Sequence, residues 1–320
     1  MAEEKNKQSA PAPEQFKTMI GGQALIEGIL MRGPRKQAVV VRTPEGLVEK
    51  VEDLHPLKDK CSVFGWPLIR GIVNFFDSLL CGIKALTYSA DFFPEEEGEP
   101  DALDRWLEKH FKKETVDKLV VPLGMVLGVV FAVALFLLLP TFLVSLVPGL
   151  HDRLLLRNLA EGVVKIAIFI GYLAAVSKMP DMRRVFSYHG AEHKTIRCYE
   201  ARLPLTVENV RPMTRLHPRC GTSFLFVVLF ISILLGTCIQ ASNTLLRAGM
   251  KLLLLPVVVA VAYEINRFVG RHDNWFTRIL TKPGLWFQNF TTNEPDDSMI
   301  EVGIRALELV IPEEEGSDRW

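Results

Sequence analysis

His189, Glu192 and His193 stand in the stretch SYHGAEHKTIRCYE, residues 187 to 200, in the spacing H-x-x-E-H. On a helix the two histidines fall four residues apart on one face, close enough to share a metal ion. Glu192 lies beside them, placed to take a proton from a water that the metal polarises. A hydrolytic site of this kind needs a third protein ligand and a fourth position left open. The stretch LHPRCGTSF, residues 216 to 224, offers His217 and Cys220 as that third ligand. Cys198 and Glu200 are nearer in sequence but point away if the helix continues. The expected ion is Zn2+ or another divalent transition metal. The same residues also admit a structural reading, in which the histidines cap the helix and Cys220 is a small buried side chain. Gly190 inside the motif argues against a helix, since glycine costs about 1 kcal/mol relative to alanine.

The elements that must hold these residues follow from a chain whose apolar residues are gathered into long runs. Mean hydropathy is +0.20. Four runs approach the roughly 20 residues that cross a bilayer: Leu119 to Val147 (interrupted by Pro122 and Pro140), Leu159 to Met179, Thr222 to Ile239, and Met250 to Phe268. Between the second and third lie nine Lys or Arg, from Lys178 to Arg219, whereas the first hairpin loop holds Arg153 and Arg157. The positive-inside rule therefore puts residues 180–221, with the H-x-x-E-H motif, in the cytoplasm at the membrane surface, and both termini on the same side. The 37 basic and 37 acidic residues balance, so no specific nucleic-acid partner is predicted. Five cysteines, odd in number and without a C-x-x-C pair, suggest a reduced compartment rather than a disulfide framework.

The predicted fold is an α-helical integral membrane protein of about four transmembrane helices. To these it adds an amphipathic or re-entrant helix and a small α+β cytoplasmic cap containing a β-hairpin. The expected order is a disordered polar tail (1–18), a β-rich cytoplasmic segment (19–65), amphipathic or interfacial helices (66–118), two spans (119–179), the motif loop (180–221), two spans (222–269) and a cytoplasmic C-terminal segment (270–320). QAVVVRTPEGLVEKVEDL alternates around Pro-Glu-Gly and reads as a hairpin of about six residues a side. IGGQALIEGILMRGP reads as a turn-rich strand joining it, with Glu27 either a further ligand or a partner of Arg32.

In residues 66–90, Arg70, Asn74, Asp77, Cys81, Lys84 and Tyr88 recur at steps of 4, 3, 4, 3 and 4, one narrow polar stripe on an apolar helix. The stripe is expected to face protein or water. Residues 101–119 should form a surface helix with Leu103, Trp106, Leu107, His110 and Phe111 on one face. Glu264 is expected to pair with Arg267, and Glu161 with Lys165. PGLWFQNFTTNEP reads as a loop, with Thr292 or Asn293 capping a helix after it and a frayed end at EEEGSDRW. His151 and His272 are loop residues without ligand-like company.

GGQALIEGILMRGP, YHGAEHKTIRCYE, ENVRPMTRLHPRCGTSF and FTTNEP together resemble motifs of the YqhQ-like bacterial membrane proteins, a family of unknown function often labelled predicted metal-dependent enzymes. The resemblance runs from about Ile20 to Leu309 and implies a multi-spanning bacterial inner-membrane protein. It singles out His189, Glu192, His193, His217 and Cys220, with Glu27 and Glu294 beside them. In the last motif Asn293 stands where the family's pattern carries an arginine.

Two functions fit. In one, His189 and His193 hold the metal with His217 or Cys220, and Glu192 is the catalytic base of a hydrolase. Its substrate is lipid-like or a membrane-anchored protein, reached along the bilayer. In the other, the same residues knit together a cap that serves as a membrane scaffold and binds a cytoplasmic protein partner.

Overall fold

Alternation in Ala38, Val39, Val40 and Val41 sends successive side chains to opposite faces of a strand, and both faces of this sheet are covered. The computed structural model describes residues 16–54, 61–93, 113–150, 153–241, 243–272, 274–314 and 316–319. Strands β1 (Gly21–Leu25), β2 (Gly28–Arg32), β3 (Lys36–Thr43) and β4 (Gly46–Asp53) form an antiparallel meander in the order β1-β2-β3-β4. The predicted hairpin is β3–β4, with strands of eight residues each and Thr43 paired to Gly46. The glycine-rich stretch forms a second hairpin, β1–β2, closed where Leu25 pairs with Gly28 and Glu27 takes a φ of 49°.

Helix α1 (Ile69–Ala90) covers one face of the sheet, where Leu25, Leu30, Val39 and Val41 pack with Ala85. The other face carries Ile29, Met31, Ala38 and Val40. It packs against two helices through Tyr188, Ala191, Met299, Val302 and Leu307. These helices are named here α5 (Pro180–Glu200) and α10 (Asp297–Glu308). Burying side chains of this size contributes roughly 1.5–3 kcal/mol each, so the three layers fix α5 firmly against β1.

The polar stripe of α1 faces protein, as expected. Arg32 reaches Asp77 at 2.8 Å, the Cys81 thiol donates to Gln37 Oε1 at 3.1 Å, and Lys50 lies over the Tyr88 ring. Toward the N-terminus of α1, Asn74 donates to the Tyr263 hydroxyl at 2.8 Å and Arg70 pairs with Glu264. Glu264 therefore takes Arg70 and not Arg267, because α1 lies alongside the helix that carries it.

The remaining helices are α2 (Lys113–Val133), α3 (Leu139–Ser145), α4 (Leu154–Val176), the short α6 (Val207–Val210), α7 (Gly221–Gly236), α8 (Thr244–Arg271) and α9 (Trp275–Thr291). A π-helical turn, Ala134–Leu138, joins α2 to α3 just before Pro140, whose missing N–H breaks the regular ladder. Among the described residues three helices are long and apolar enough to cross a membrane: Leu123–Ser145, Leu154–Val176 and Thr244–Arg271. The fourth expected span, Thr222 to Ile239, is the 16-residue α7, shorter than the other three.

Several local expectations give way to long-range contacts. Glu161 binds Arg157, Arg247 and Lys251, while Lys165 donates to Ser232 at 3.2 Å. Residues 275–291 are helical through Pro283, and Asp296, not Thr292 or Asn293, caps α10 by accepting from Met299 N–H at 3.0 Å. The chain end is tied down: Thr18 bridges to Arg319, and Asp318, fully buried, accepts from the Thr18 and Tyr199 hydroxyls. The expected helix around Leu103 to Phe111 and the loop residue His151 lie outside the described residues.

Candidate metal centre

Helix α5 opens with Pro180 at its first position and Asp181 in the first turn, both suited to a helix N-terminus. It continues unbroken through Gly190. The reason lies across the chain: a Cβ at Gly190 would overlap the carbonyl oxygen of Asn293. The segment after α9 crosses α5 there, with Asn293 N–H donating to Phe186 O at 2.8 Å and its side-chain amide donating to Arg183 O at 3.0 Å. Glycine's helix cost is thus offset by a close backbone crossing that any side chain would block.

Helical spacing then puts His189 and His193 together, ring centroids 4.3 Å apart. Each ring is oriented from behind by a backbone carbonyl. His189 Nδ1 lies 2.8 Å from Thr291 O, and His193 Nδ1 lies 2.6 Å from Arg215 O. A carbonyl only accepts, so both Nδ1 atoms carry hydrogen and the Nε2 atoms are the ones turned to the site. This is the arrangement by which metal-binding histidines are usually fixed in tautomer and angle.

Cys220 places a third potential ligand atom beside them. It caps α7, its Sγ accepting from Thr222 N–H at 3.5 Å and the Thr222 hydroxyl at 3.3 Å, and it sits 3.1 Å from His189 Nε2. One ligand atom from each of His189, His193 and Cys220 lies within 4.8 Å of the others. His217 is outside this group. Its Nε2 turns to Glu200 Oε2 at 3.4 Å, and Glu200 also binds Arg219. Both backbone polar groups of His217 are held by the buried Gln288 amide, which accepts from His217 N–H and donates to His217 O, each at 2.7 Å. The His217 ring stays near the pair, its centroid 5.6 Å from that of His193, but its Nε2 faces Glu200.

Glu192 is buried beside them, 4% exposed, with Oε1 accepting from Gly22 N–H of β1 at 2.9 Å. Its Oε2 and the Nε2 of His193 are buried polar atoms without a hydrogen-bond partner among the described residues. Unmet polar atoms of this kind are costly when buried, and a cation bound by His193 would satisfy one of them directly.

The electrostatics describe a thiolate–imidazolium pair, from which a metal ion would have to displace the His189 proton. Burial alone would raise the Cys220 thiol, but the His193 and His189 rings outweigh it and hold it well below its usual range. Burial also opposes charge on His189, yet the facing sulfur, with Glu192 nearby, raises its pKa to about 9. Burial raises the Glu192 carboxyl against the pull of both histidines. A thiolate is the form in which sulfur binds metal, and a raised carboxylate is a stronger base.

A cleft of about 240 Å³ adjoins this group, lined by Glu192, Cys220 and His217 together with Gln23, Ser78, Arg32 and Arg219. Glu27 and Glu294, set beside the site by motif resemblance, bind elsewhere. Glu27 pairs with Arg184 and accepts from the Tyr188 hydroxyl, and not from Arg32, whose partner is Asp77. Glu294 pairs with Lys194 at 2.5 Å and Arg215 at 3.7 Å. The ring of His272 stacks on Phe268, away from the site. The groups that residue patterns left unmarked are mostly backbone: Gly22 N–H and the carbonyls of Thr291 and Arg215. The paired glycines of IGGQ were the one signal, marking where backbone could come close.

The family described as a protein of unknown function, DUF1385, matches residues 66–313. The uncharacterized protein YqhQ of Bacillus subtilis (strain 168) is similar at 31% identity over 291 residues, covering 90% of each chain. No solved structure matches the chain.

Proposed function

Since the chain belongs to the DUF1385 family, whose function is unknown, we propose a function from the site itself: a metal-dependent hydrolase working at a membrane surface. The observation that carries it is the convergence of His189, His193 and Cys220 beside the buried Glu192, with Cys220 and Glu192 lining an adjacent cleft. Two imidazoles and one thiolate form a donor set suited to Zn2+, with three protein ligands and room for a fourth position toward the cleft. Bound there, the ion supplies Lewis acidity. Glu192 takes up and returns the proton of an attacking water, held in place by Gly22 N–H. Arg32 and Arg219 line the cleft with their charges paired to Asp77 and Glu200.

The helices are proposed to cross the bacterial inner membrane with the site on the cytoplasmic side. Support comes from apolar side chains turned outward, such as Val163 at 68% and Leu253 at 80% exposure, and from the nine basic residues between Lys178 and Arg219. Helix α7 is proposed to reach as far as its neighbours, since Asn158 near the start of α4 donates to Thr237 O at its end, 3.2 Å away. Cys220 would then lie where α7 enters the bilayer, which suits a lipid-like or membrane-anchored substrate.

The first test is the metal content of detergent-purified protein, by elemental mass spectrometry, for wild type, His193→Ala and Cys220→Ser. Near one equivalent of a transition metal in wild type, lost in both variants, is expected. Wild-type protein prepared without chelator that contains no metal and takes up none on titration would overturn the proposal. With metal established, a hydrolase screen uses Glu192→Gln as control; a loaded wild type no more active than this variant would leave the ion a structural role in a scaffold.

A further inference from the structure

Separate from the cleft, with no lining residue in common, α2 and its π-helical turn, α4, α7 and α8 leave a groove of about 430 Å³ between them. Its volume is within the roughly 300–1,000 Å³ typical of small-molecule sites. Its walls are mostly apolar, including Phe136, Phe169, Leu225 and Val258, and its polar lining residues are Lys165, Lys251, Ser232 and Tyr172. Along α7 the distance from Ser232 to Leu225 is roughly 10 Å at 1.5 Å per residue. The groove is thus an elongated apolar slot with a cationic end.

The charge at that end is not balanced. Glu161 has both oxygens committed: Oε1 to Arg157 at 3.5 Å and Arg247 at 3.1 Å, Oε2 to Lys251. Lys165 donates to the Ser232 hydroxyl, and no carboxylate lies within 4.0 Å of its ammonium among the described residues. An ammonium at this depth in a bilayer is costly without a counter-ion. An anion at the polar end, with its chain in the slot, would satisfy Lys165 and fill the walls at once.

We propose that this groove binds a single-chain anionic lipid drawn from the surrounding bilayer, its acidic headgroup on Lys165, Lys251 and Ser232 and its chain along Phe136, Phe169 and Leu225. The site rests on the helices crossing a bilayer and not on the metal centre, so it stands if no metal binds.

The test is thermal unfolding of the full chain in an uncharged maltoside detergent, titrated with dodecyl phosphate. Dodecanol serves as the uncharged chain and inorganic phosphate as the headgroup alone. Dodecyl phosphate should raise the unfolding temperature saturably, by about 5 °C at a hundredfold excess over Kd, and the two controls should not. Lys165→Met should abolish the rise, and Leu225→Trp, which narrows the slot without touching the charges, should weaken it at least tenfold in apparent Kd. An equal rise with dodecanol, no saturable rise with dodecyl phosphate, or unchanged responses in the two variants would overturn the proposal. Should Lys165→Met fail to fold, Leu225→Trp with the dodecanol comparison decides it.

Discussion

Gly190 and Asn293 meet backbone to backbone, the carbonyl oxygen of Asn293 occupying the space where a side chain on Gly190 would begin. This crossing, in the middle of the H-x-x-E-H motif, sets the distance between α5 and the end of α9, and with it the bond from His189 Nδ1 to Thr291 O. Gly190→Ala should therefore do two things that a surface substitution would not. It should destabilise the cap by about 1–3 kcal/mol, as overpacking of a filled site does, and it should weaken metal binding by displacing His189. Thermal unfolding and metal titration of the same preparation would check both; a variant as stable and as metal-replete as wild type would contradict the crossing.

Gln288 should be as sensitive for a different reason. Its amide satisfies the N–H and the C=O of His217 together, fully buried. Gln288→Leu keeps the volume, leaves the His217 N–H unpaired and leaves its C=O only the 3.4 Å bond from Cys220 N–H, at roughly 1–3 kcal/mol for the unpaired group. The expected loss is about 1–3 kcal/mol in chemical unfolding, accompanied by lower metal occupancy as the Cys220 loop loosens.

Removing metal distinguishes Cys220 from His217 as the third ligand. Chelator should lower the unfolding temperature of Zn2+-loaded wild type, since an ion that binds the folded state at a hundredfold over its Kd adds about 2.7 kcal/mol. In Cys220→Ala the chelator should have no effect. If instead the effect persists in Cys220→Ala and vanishes in His217→Gln, the ligand is His217.

Glu200 predicts an acid-sensitive cap. Burial by itself would raise its carboxyl, but the His217 hydrogen bond and the Arg219 charge outweigh burial and hold it below the usual carboxylate range. Its folded value lies below its unfolded value of about 4.3, so its contribution is fully present above that pH and is lost as pH falls through the lower folded value. Glu200→Gln should be less stable than wild type at neutral pH, and the gap should close below about pH 4. A gap that stays constant with pH would show the ion pairs to be without weight.

Features decided within a few residues of sequence were legible. The i,i+4 spacing of His189 and His193 puts them on one helix face wherever the helix packs, and Pro-Glu-Gly with its flanking alternation specifies the β3–β4 hairpin. The polar stripe from Arg70 to Tyr88 was readable as a stripe, because helical period alone aligns it. Its partners were not: Glu264, Tyr263, Arg32 and Gln37 come from other segments, and nothing local ranks Arg70 above Arg267 as the partner of Glu264.

The candidate third ligand shows the division most clearly. His217 and Cys220 are both able to bind metal and lie three residues apart, so residue type and spacing leave the choice open. It is decided by the Gln288 amide, which holds the His217 backbone, and by the start of α7, which fixes the Cys220 sulfur. The helix through Gly190 was underrated for the same reason, since its compensation is a carbonyl about a hundred residues away. Composition and period determine elements and faces; which faces meet, and which of two equal candidates turns inward, is settled only when distant segments compete for the same space and the same hydrogen bonds.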